Sequence, residues 1–323
     1  MSTLTTHHFL FTAQVTSMLE VDDQSGAALR GNLFEAVWGR FCTNKVSPSC
    51  AACPLHAMCP VSALVAPLRE ENERGRDIPR PYIILPPLGQ ARRYQPGDTL
   101  IFGLTLFGSI VQLLPYIMLS LKTLEAKGLG RKLPENRSQR GKFIIQQIES
   151  YQPFTGKRHV LYEAGIPQVE VPTITVNAAD VAARAAELST DKITVHYLTP
   201  TRITYKEKPL YHAAFQPFIQ RLLERLISLE QSYGTTNETD LVQCRKELIE
   251  QASSISCIED TITWTGAHSY SSRQKQLTSI SGITGKATFA GDIAPFRELL
   301  VWGELIHVGK NTVKGNGWYT LEN

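Results

Sequence analysis

The sequence predicts an α+β fold of two tandem β-α-β-β-α-β units with a small cysteine-rich insertion, and three observations carry that prediction. The order of strand-like and helix-like segments in the first half recurs in the second. In both halves a helical stripe runs into a glycine-rich basic segment, Gly128-Leu129-Gly130-Arg131-Lys132 in one and Gly309-Lys310 through Gly317 in the other. Four cysteines stand between Cys42 and Cys59, directly after the first predicted helix. At 323 residues with 42% apolar content, the chain is long enough for two domains of about 150 residues each.

The elements follow in order. His8 to Thr16 alternates bulky and smaller residues as a strand does, and Gly26 to Phe41 places Leu29, Leu33, Val37 and Phe41 on one helical face. Pro81 to Phe107, with a turn at Pro96-Gly97-Asp98, reads as a hairpin. Leu113 to Lys127 reads as a helix with Leu114, Ile117, Leu121 and Leu124 on one face and Gly128 stopping it. Gly141 to Gln147 supplies the last strand. In the second half, Lys192 to Tyr205 is a β-branched strand run, and Phe215, Phe218, Ile219, Leu222, Leu226 and Leu229 form a stripe ending near Gly234. Thr261 to Ala290 reads as strands around a polar segment, Pro295 to His307 as a helix and Trp318 to Leu321 as the final strand. Each half is thus ferredoxin-like. The expected domains are 1–150, carrying the cysteine-rich insertion at about 42–60, and 191–323, with 151–190 as a linker holding a hairpin and an alanine-rich helix from Ala178 to Leu188.

A net charge of +3 and a pI near 8.5 permit a polyanionic partner without demanding one. No apolar run approaches the ~18 residues of a membrane span, and the N-terminus lacks the pattern of a signal peptide. These features point to a cytosolic protein with no membrane partner. In a reducing compartment a cysteine cluster holds metal rather than disulfides.

The cluster Cys42-x7-Cys50-x2-Cys53-x5-Cys59, bracketed by Gly39, Pro48, Pro54 and Pro60, offers four soft ligands that suit tetrahedral zinc or an iron–sulfur cluster. Nothing implies an open coordination position, so the metal would be structural. Cys244 and Cys257 read as packing residues. The loop His307 to Gly317 looks built to bind an anion: Gly309, Gly315 and Gly317 let backbone N–H groups approach a phosphate while Lys310 and Lys314 neutralise it. A helix end followed by a solvated turn would show the same glycines. Trp264 to Gln274 mixes aromatics, hydroxyls, His268, Tyr270, Ser271 and Arg273, a set able to stack on bases and bond phosphates. A half-exposed hairpin would also be polar at alternate positions. Arg30 can reach a ligand or snorkel over the core, and His7 and His8 open the first strand.

Seven segments in order, Leu29 to Phe41, the run ending in Cys59-Pro60, Pro96-Gly97-Asp98, Gly128-Leu129-Gly130-Arg131, Leu198-Thr199-Pro200-Thr201-Arg202, Tyr270 to Gln274 and Gly303 to Lys310, span nearly the whole chain. With them the sequence resembles the CRISPR precursor-crRNA-processing endoribonucleases of the RAMP superfamily, in the branch with a cysteine cluster. The resemblance implies two ferredoxin-like domains and a prokaryotic, cytoplasmic enzyme that binds CRISPR repeat RNA and remains bound as an effector-complex subunit. It also implies metal-independent attack of a ribose 2′-OH on the adjacent phosphate, leaving a 2′,3′-cyclic phosphate, with no cofactor for catalysis. That chemistry needs a proton carrier and a cation, roles assigned to His307 and Lys310, with His268 in reserve and Tyr270 and Arg273 positioning the phosphate. Arg30, Arg131, Lys132, Arg202, Ser271, Gly309, Lys314, Gly315 and Gly317 are the expected RNA contacts. An alternative is a subunit that holds the crRNA without cutting it. The cysteine spacing is also similar to the [4Fe-4S] loop of helix-hairpin-helix DNA glycosylases, which keeps an iron–sulfur cluster beside zinc as the expected metal and leaves a DNA-repair reading open.

Overall fold

The computed structural model describes residues 2–22, 25–67, 78–88, 92–235, 240–271 and 276–323, with the backbone alone for residues 240, 241, 243, 269–271 and 276. The chain forms two units, Thr6–Thr175 and Val176–Asn323, the latter joined by Met1–Thr5.

The first unit comprises β1 (Thr6–Val15), β2 (Leu19–Glu20), α1 (Ser25–Phe41), α2 (Pro60–Val65), β3 (Tyr82–Leu85), β4 (Arg93–Tyr94), β5 (Thr99–Phe107), α3 (Leu114–Lys127), β6 (Leu129–Leu133), β7 (Gln139–Gly141), β8 (Phe143–Tyr151) and β9 (Arg158–Glu163). Its main sheet is antiparallel with order β3-β5-β1-β8-β9. Phe9, Phe11, Ala13 and Val15 of β1 point inward, and Phe11 stacks on Phe102 at 5.0 Å. Onto that face pack Leu29, Leu33 and Val37 of α1 and Ile117, Leu121 and Leu124 of α3, each large apolar side chain contributing about 2 kcal/mol of burial. Helix α3 carries a proline in its first turn and stops at Gly128, whose φ of 70° suits glycine.

The second unit comprises α4 (Ala178–Ala186), β10 (Lys192–Thr201), β11 (Thr204–Tyr205), β12 (Lys208–Pro209), α5 (Phe215–Tyr233), α6 (Asp240–Gln251), β13 (Ser256–Asp260), β14 (Thr263–Thr265), β15 (His268–Ser271), β16 (Gln276–Ser279), β17 (Gly282–Ala290), α7 (Arg297–Ile306) and β18 (Tyr319–Glu322). The sheet order is β13-β17-β10-β18, with β14 also pairing β17. Counting only the four core strands of each unit, both sheets run second-third-first-fourth, so the sequence repeat is a repeat of topology. Helix α7 lies so close to β18 that a Cβ at Gly303 would meet the Tyr319 hydroxyl at 1.9 Å. That hydroxyl donates to the Leu300 carbonyl at 2.6 Å.

Three expectations change. The segment 151–190 is no free linker: β9 extends the first sheet by pairing with β8, and α4 packs on α7. Gly128–Lys132 is not a loop but mostly strand β6, paired with β7. Cys244 and Cys257 are exposed rather than packed, Cys257 because β13 is a sheet edge. Among the described residues no helix is long and apolar enough to cross a membrane.

Candidate nucleic-acid interface

The glycine-rich segment after α7 is held by the end of β10. Thr199 Oγ1 donates to the Gly315 carbonyl at 2.8 Å and accepts from Trp318 N–H at 2.9 Å. The Pro200 carbonyl accepts from Gly317 N–H and from the Asn316 amide, and the Arg202 carbonyl accepts from Lys310 N–H at 3.1 Å. Glycine is required where the strands meet: a Cβ at Gly309 would lie 2.4 Å from the Arg202 carbonyl, and one at Gly317 1.9 Å from that of Val308. The amides of Val308, Lys310, Lys314, Gly315 and Gly317 all donate to backbone carbonyls. The segment therefore does not cradle a phosphate with those N–H groups. It presents side chains instead, above all the exposed Lys310.

His307 is fully buried. Its ring stacks on Trp318 with centroids 5.7 Å apart, and the Asn316 carbonyl accepts from Nδ1 at 3.2 Å. It holds φ 58° where a glycine would sit more easily, a conformation sustained by its packing. The expected pairing of His307 with Lys310 on one phosphate is not what the fold builds, because the imidazole faces the core and the ammonium faces solvent.

Arg202 occupies the centre of what remains. Its guanidinium donates to Ser279 Oγ at 3.2 Å, and Ser279 stands directly opposite His268 in the β15–β16 pair. Opposed residues project from the same face of a ladder, so the exposed His268 shares a face with the serine that the half-buried Arg202 bonds. The Lys310 backbone is held on the Arg202 carbonyl, while its side chain is exposed. Among the described residues neither Arg202 nor Lys310 forms an ion pair, leaving both charges available to a phosphate. Tyr270 and Ser271 lie on β15, but their side chains, like the whole of Arg273, are outside the described residues.

The matching segment of the first unit is built differently. Arg131 lies between Glu20 and Asp22, at 3.6 and 3.5 Å, so its charge is already met by two carboxylates. Lys132 is exposed. Asn32 Nδ2 donates to the Gly128 carbonyl at 2.7 Å, tying α1 to β6. Arg30 lies over the Phe34 ring at 5.6 Å and beside the buried Tyr82, the snorkelling alternative. His8 bonds Thr6 and Thr105 hydroxyls in the core, and burial lowers its pKa to about 3. Burial lowers that of His7 as well.

Residues 4–174 match the AF_1859_N family model, an N-terminal domain, and residues 195–319 match the model of CRISPR-associated endoribonuclease Cas6. The chain belongs to the AF_1859_N family, and its second unit resembles the Cas6 endoribonuclease over residues 195–319. An uncharacterized protein of Archaeoglobus fulgidus is 26% identical over 303 residues, covering 90% of this chain and 91% of its own. A Thermus thermophilus Cas6 superposes with a TM-score of 0.53 at 13% identity, covering 99% of both chains. A partial Cas6-RT-Cas1–Cas2 complex gives 0.61 at 13% identity, but this chain spans only 46% of that one. At such identities the likeness to solved structures is one of fold alone.

Arg202, Ser279, His268 and Lys310 all fall within residues 195–319, the Cas6-like segment. Ser279 escaped sequence reading, since an isolated serine carries no signal until β16 places it between an arginine and a histidine. The cysteine-rich insertion lies in the AF_1859_N part. The four cysteines of the insertion are half-buried, and none of the chain's six forms a disulfide. The turns Cys50–Cys53, Cys53–His56 and His56–Cys59 are closed by backbone bonds of 3.0–3.3 Å, and Asn44 Nδ2 donates to Cys53 Sγ at 3.4 Å. Among the described residues no three His, Cys, Asp or Glu side chains stand together as a metal-holding group. The donor chemistry fits a thiophilic metal; the arrangement of the thiols does not yet assemble its site.

Proposed function

We propose that the chain binds CRISPR repeat RNA and cleaves precursor crRNA without a metal, then stays on its product as an effector-complex subunit in a prokaryotic cytoplasm. The observation that carries this reading is the Arg202 guanidinium bonded to Ser279, the serine paired in register with the exposed His268, with the Lys310 backbone held on the Arg202 carbonyl, inside the segment that matches the Cas6 endoribonuclease model. The ribose 2′ oxygen forms a bond to the adjacent phosphorus as the bond to the 5′ oxygen breaks. The 2′-OH gives up its proton, and the departing 5′ oxygen takes one. His268 serves as the proton carrier, and Arg202 and Lys310 stabilise the charge that grows on the phosphorane oxygens. Tyr270 and Arg273 are assigned to positioning the phosphate, and Ser271, Lys132 and Lys314 to outlying contacts. His307 becomes a positioning residue that fastens the Lys310 segment to the core.

The burial of His307 favours a second reading, a binding module that holds the repeat-derived end without cutting. Incubating the protein with repeat RNA from its own genome, with and without EDTA, separates the two. Cleavage insensitive to EDTA, with a 2′,3′-cyclic phosphate on the upstream product, is the expected result. Tight binding with no product in either condition would establish the second reading. We also assign a structural zinc, or alternatively a [4Fe-4S] cluster, to Cys42, Cys50, Cys53 and Cys59, supported by the donor set alone.

A further inference from the structure

Beside the Arg202 site the second unit exposes aromatic surface that its core has no use for. Strand β10 ends at Thr201, and the chain turns at once into the β11–β12 hairpin. The hairpin's turn residues, Lys206 and Glu207, hold φ of 46° and 66°, a left-handed pair that Asn-Gly would take more easily. Lys206 Nζ lies 5.3 Å over the Tyr205 ring, and Lys208 is exposed. Just beyond, Tyr211 is 61% exposed and its ring lies 4.4 Å from that of Trp264, tilted by 47°. Trp264 pairs with Ile283 of β17, the residue that also pairs with Thr201, so only the β17 strand separates Trp264 from the end of β10, where Arg202 follows.

An exposed tyrosine ring braced by a tryptophan offers a flat amphipathic face on which a planar partner can stack. Here the surrounding charges say which kind: Arg202, Lys206, Lys208 and Lys310 are cationic, and Glu207 is the one carboxylate on the hairpin. Cations beside an exposed aromatic face suit a nucleic-acid strand, with base on ring and phosphate on ammonium. Bases inside a duplex are stacked on each other and unavailable, so the fitting ligand is an unpaired nucleotide. Tyr211 and Trp264 touch, which leaves no room for a base between them. The base must therefore stack on the outer face of Tyr211, with Trp264 bracing the ring from behind.

We infer that Tyr211, backed by Trp264, stacks an unpaired base of the RNA next to the repeat stem, while Lys206 and Lys208 hold the neighbouring phosphate. The inference rests on the RNA-binding reading and adds a single-strand subsite to it. It is sequence-tolerant, because every base offers a face to stack.

The test uses the full chain and four RNAs in a binding titration: repeat RNA with unpaired flanks, the same stem with blunt ends, an oligouridylate, and a scrambled repeat. Tyr211→Ala should weaken binding to the flanked RNA and to the oligouridylate by about tenfold. It should leave the blunt stem and the unfolding midpoint unchanged, and Tyr211→Phe should bind like the wild type. Equal affinity of wild type and Tyr211→Ala for the flanked RNA overturns the subsite, and so does an equal loss on the blunt stem. A wild-type protein that does not prefer repeat over scrambled RNA removes the repeat-processing reading, yet a selective loss of oligouridylate binding in Tyr211→Ala would still support the stack.

Discussion

At the scale of single residues, burial has turned histidines that look reactive into structural parts, with a consequence in pH. His8 is satisfied by two hydroxyls and its pKa falls to about 3 in the folded protein, against ~6.5 in an unfolded chain. The unfolded state therefore binds the proton more tightly. The stability contributed by neutral His8 is complete above pH ~6.5 and declines as pH falls toward 3, by up to about 1.4 kcal/mol per pH unit. His7, lowered in the same direction, steepens the decline. Glu304 acts with the opposite sign, because burial raises its pKa to about 7 and the folded state prefers it protonated. Its contribution is largest below the ordinary carboxylate range and fades as pH rises through 7. Urea unfolding across this range should thus show His8→Asn flattening the acid limb and Glu304→Gln flattening the loss between about pH 4.5 and 7. Parallel curves for His8→Asn and wild type would mean that His8 can charge in place.

At the scale of elements, the segment after α7 is the most tightly constrained feature of the second unit. Gly317 combines a φ of 74° with a Cβ position 1.9 Å from a carbonyl oxygen, so Gly317→Ala should destabilise the protein by about 2 kcal/mol or more and displace Lys310. Thermal unfolding together with RNA affinity measures both effects. Gly97, with open space around it, is the control, its alanine variant carrying only the strain of its φ. The cysteine-rich insertion makes the opposite case: its turns are local and its donors right in kind, so metal would draw the thiols together as it folds the segment. Elemental analysis of natively purified protein should find about one zinc per chain, or several irons with brown colour for a cluster. Protein purified without either metal would make the insertion a plain helical connection, and Cys53→Ser would then leave the unfolding midpoint unmoved.

At the scale of the whole molecule, the two units share a topology but differ where their matching segments carry charge. Among the described residues neither Arg202 nor Lys310 forms an ion pair, so Arg202→Ala and Lys310→Ala should each weaken RNA binding and flatten its salt dependence by about one phosphate contact. Arg131→Ala should do neither, since Glu20 and Asp22 already neutralise it. His268→Ala should slow single-turnover cleavage by about 100-fold with affinity within a few-fold of wild type. His307→Ala should instead lower the unfolding midpoint, and a normal midpoint with a lost cleavage step would return the catalytic role to His307.

The sequence alone determined the core strands and helices of each unit, because the alternation of Phe9, Phe11 and Ala13 and the stripe of Phe218, Leu222, Leu226 and Leu229 are local patterns whose period is set by backbone geometry. It determined equally the duplicated order of elements and the end of α3 at Gly128. Register and burial were decided only by the tertiary structure. Whether the Gly309 to Gly317 amides met a phosphate or a neighbouring strand depended on where β10 ended. Whether His307 or His268 faced solvent depended on which side of α7 and of β15 the core lay. Those choices are made by contacts between residues far apart in the chain, such as Arg202 with Ser279 and Lys310, and no local period encodes them.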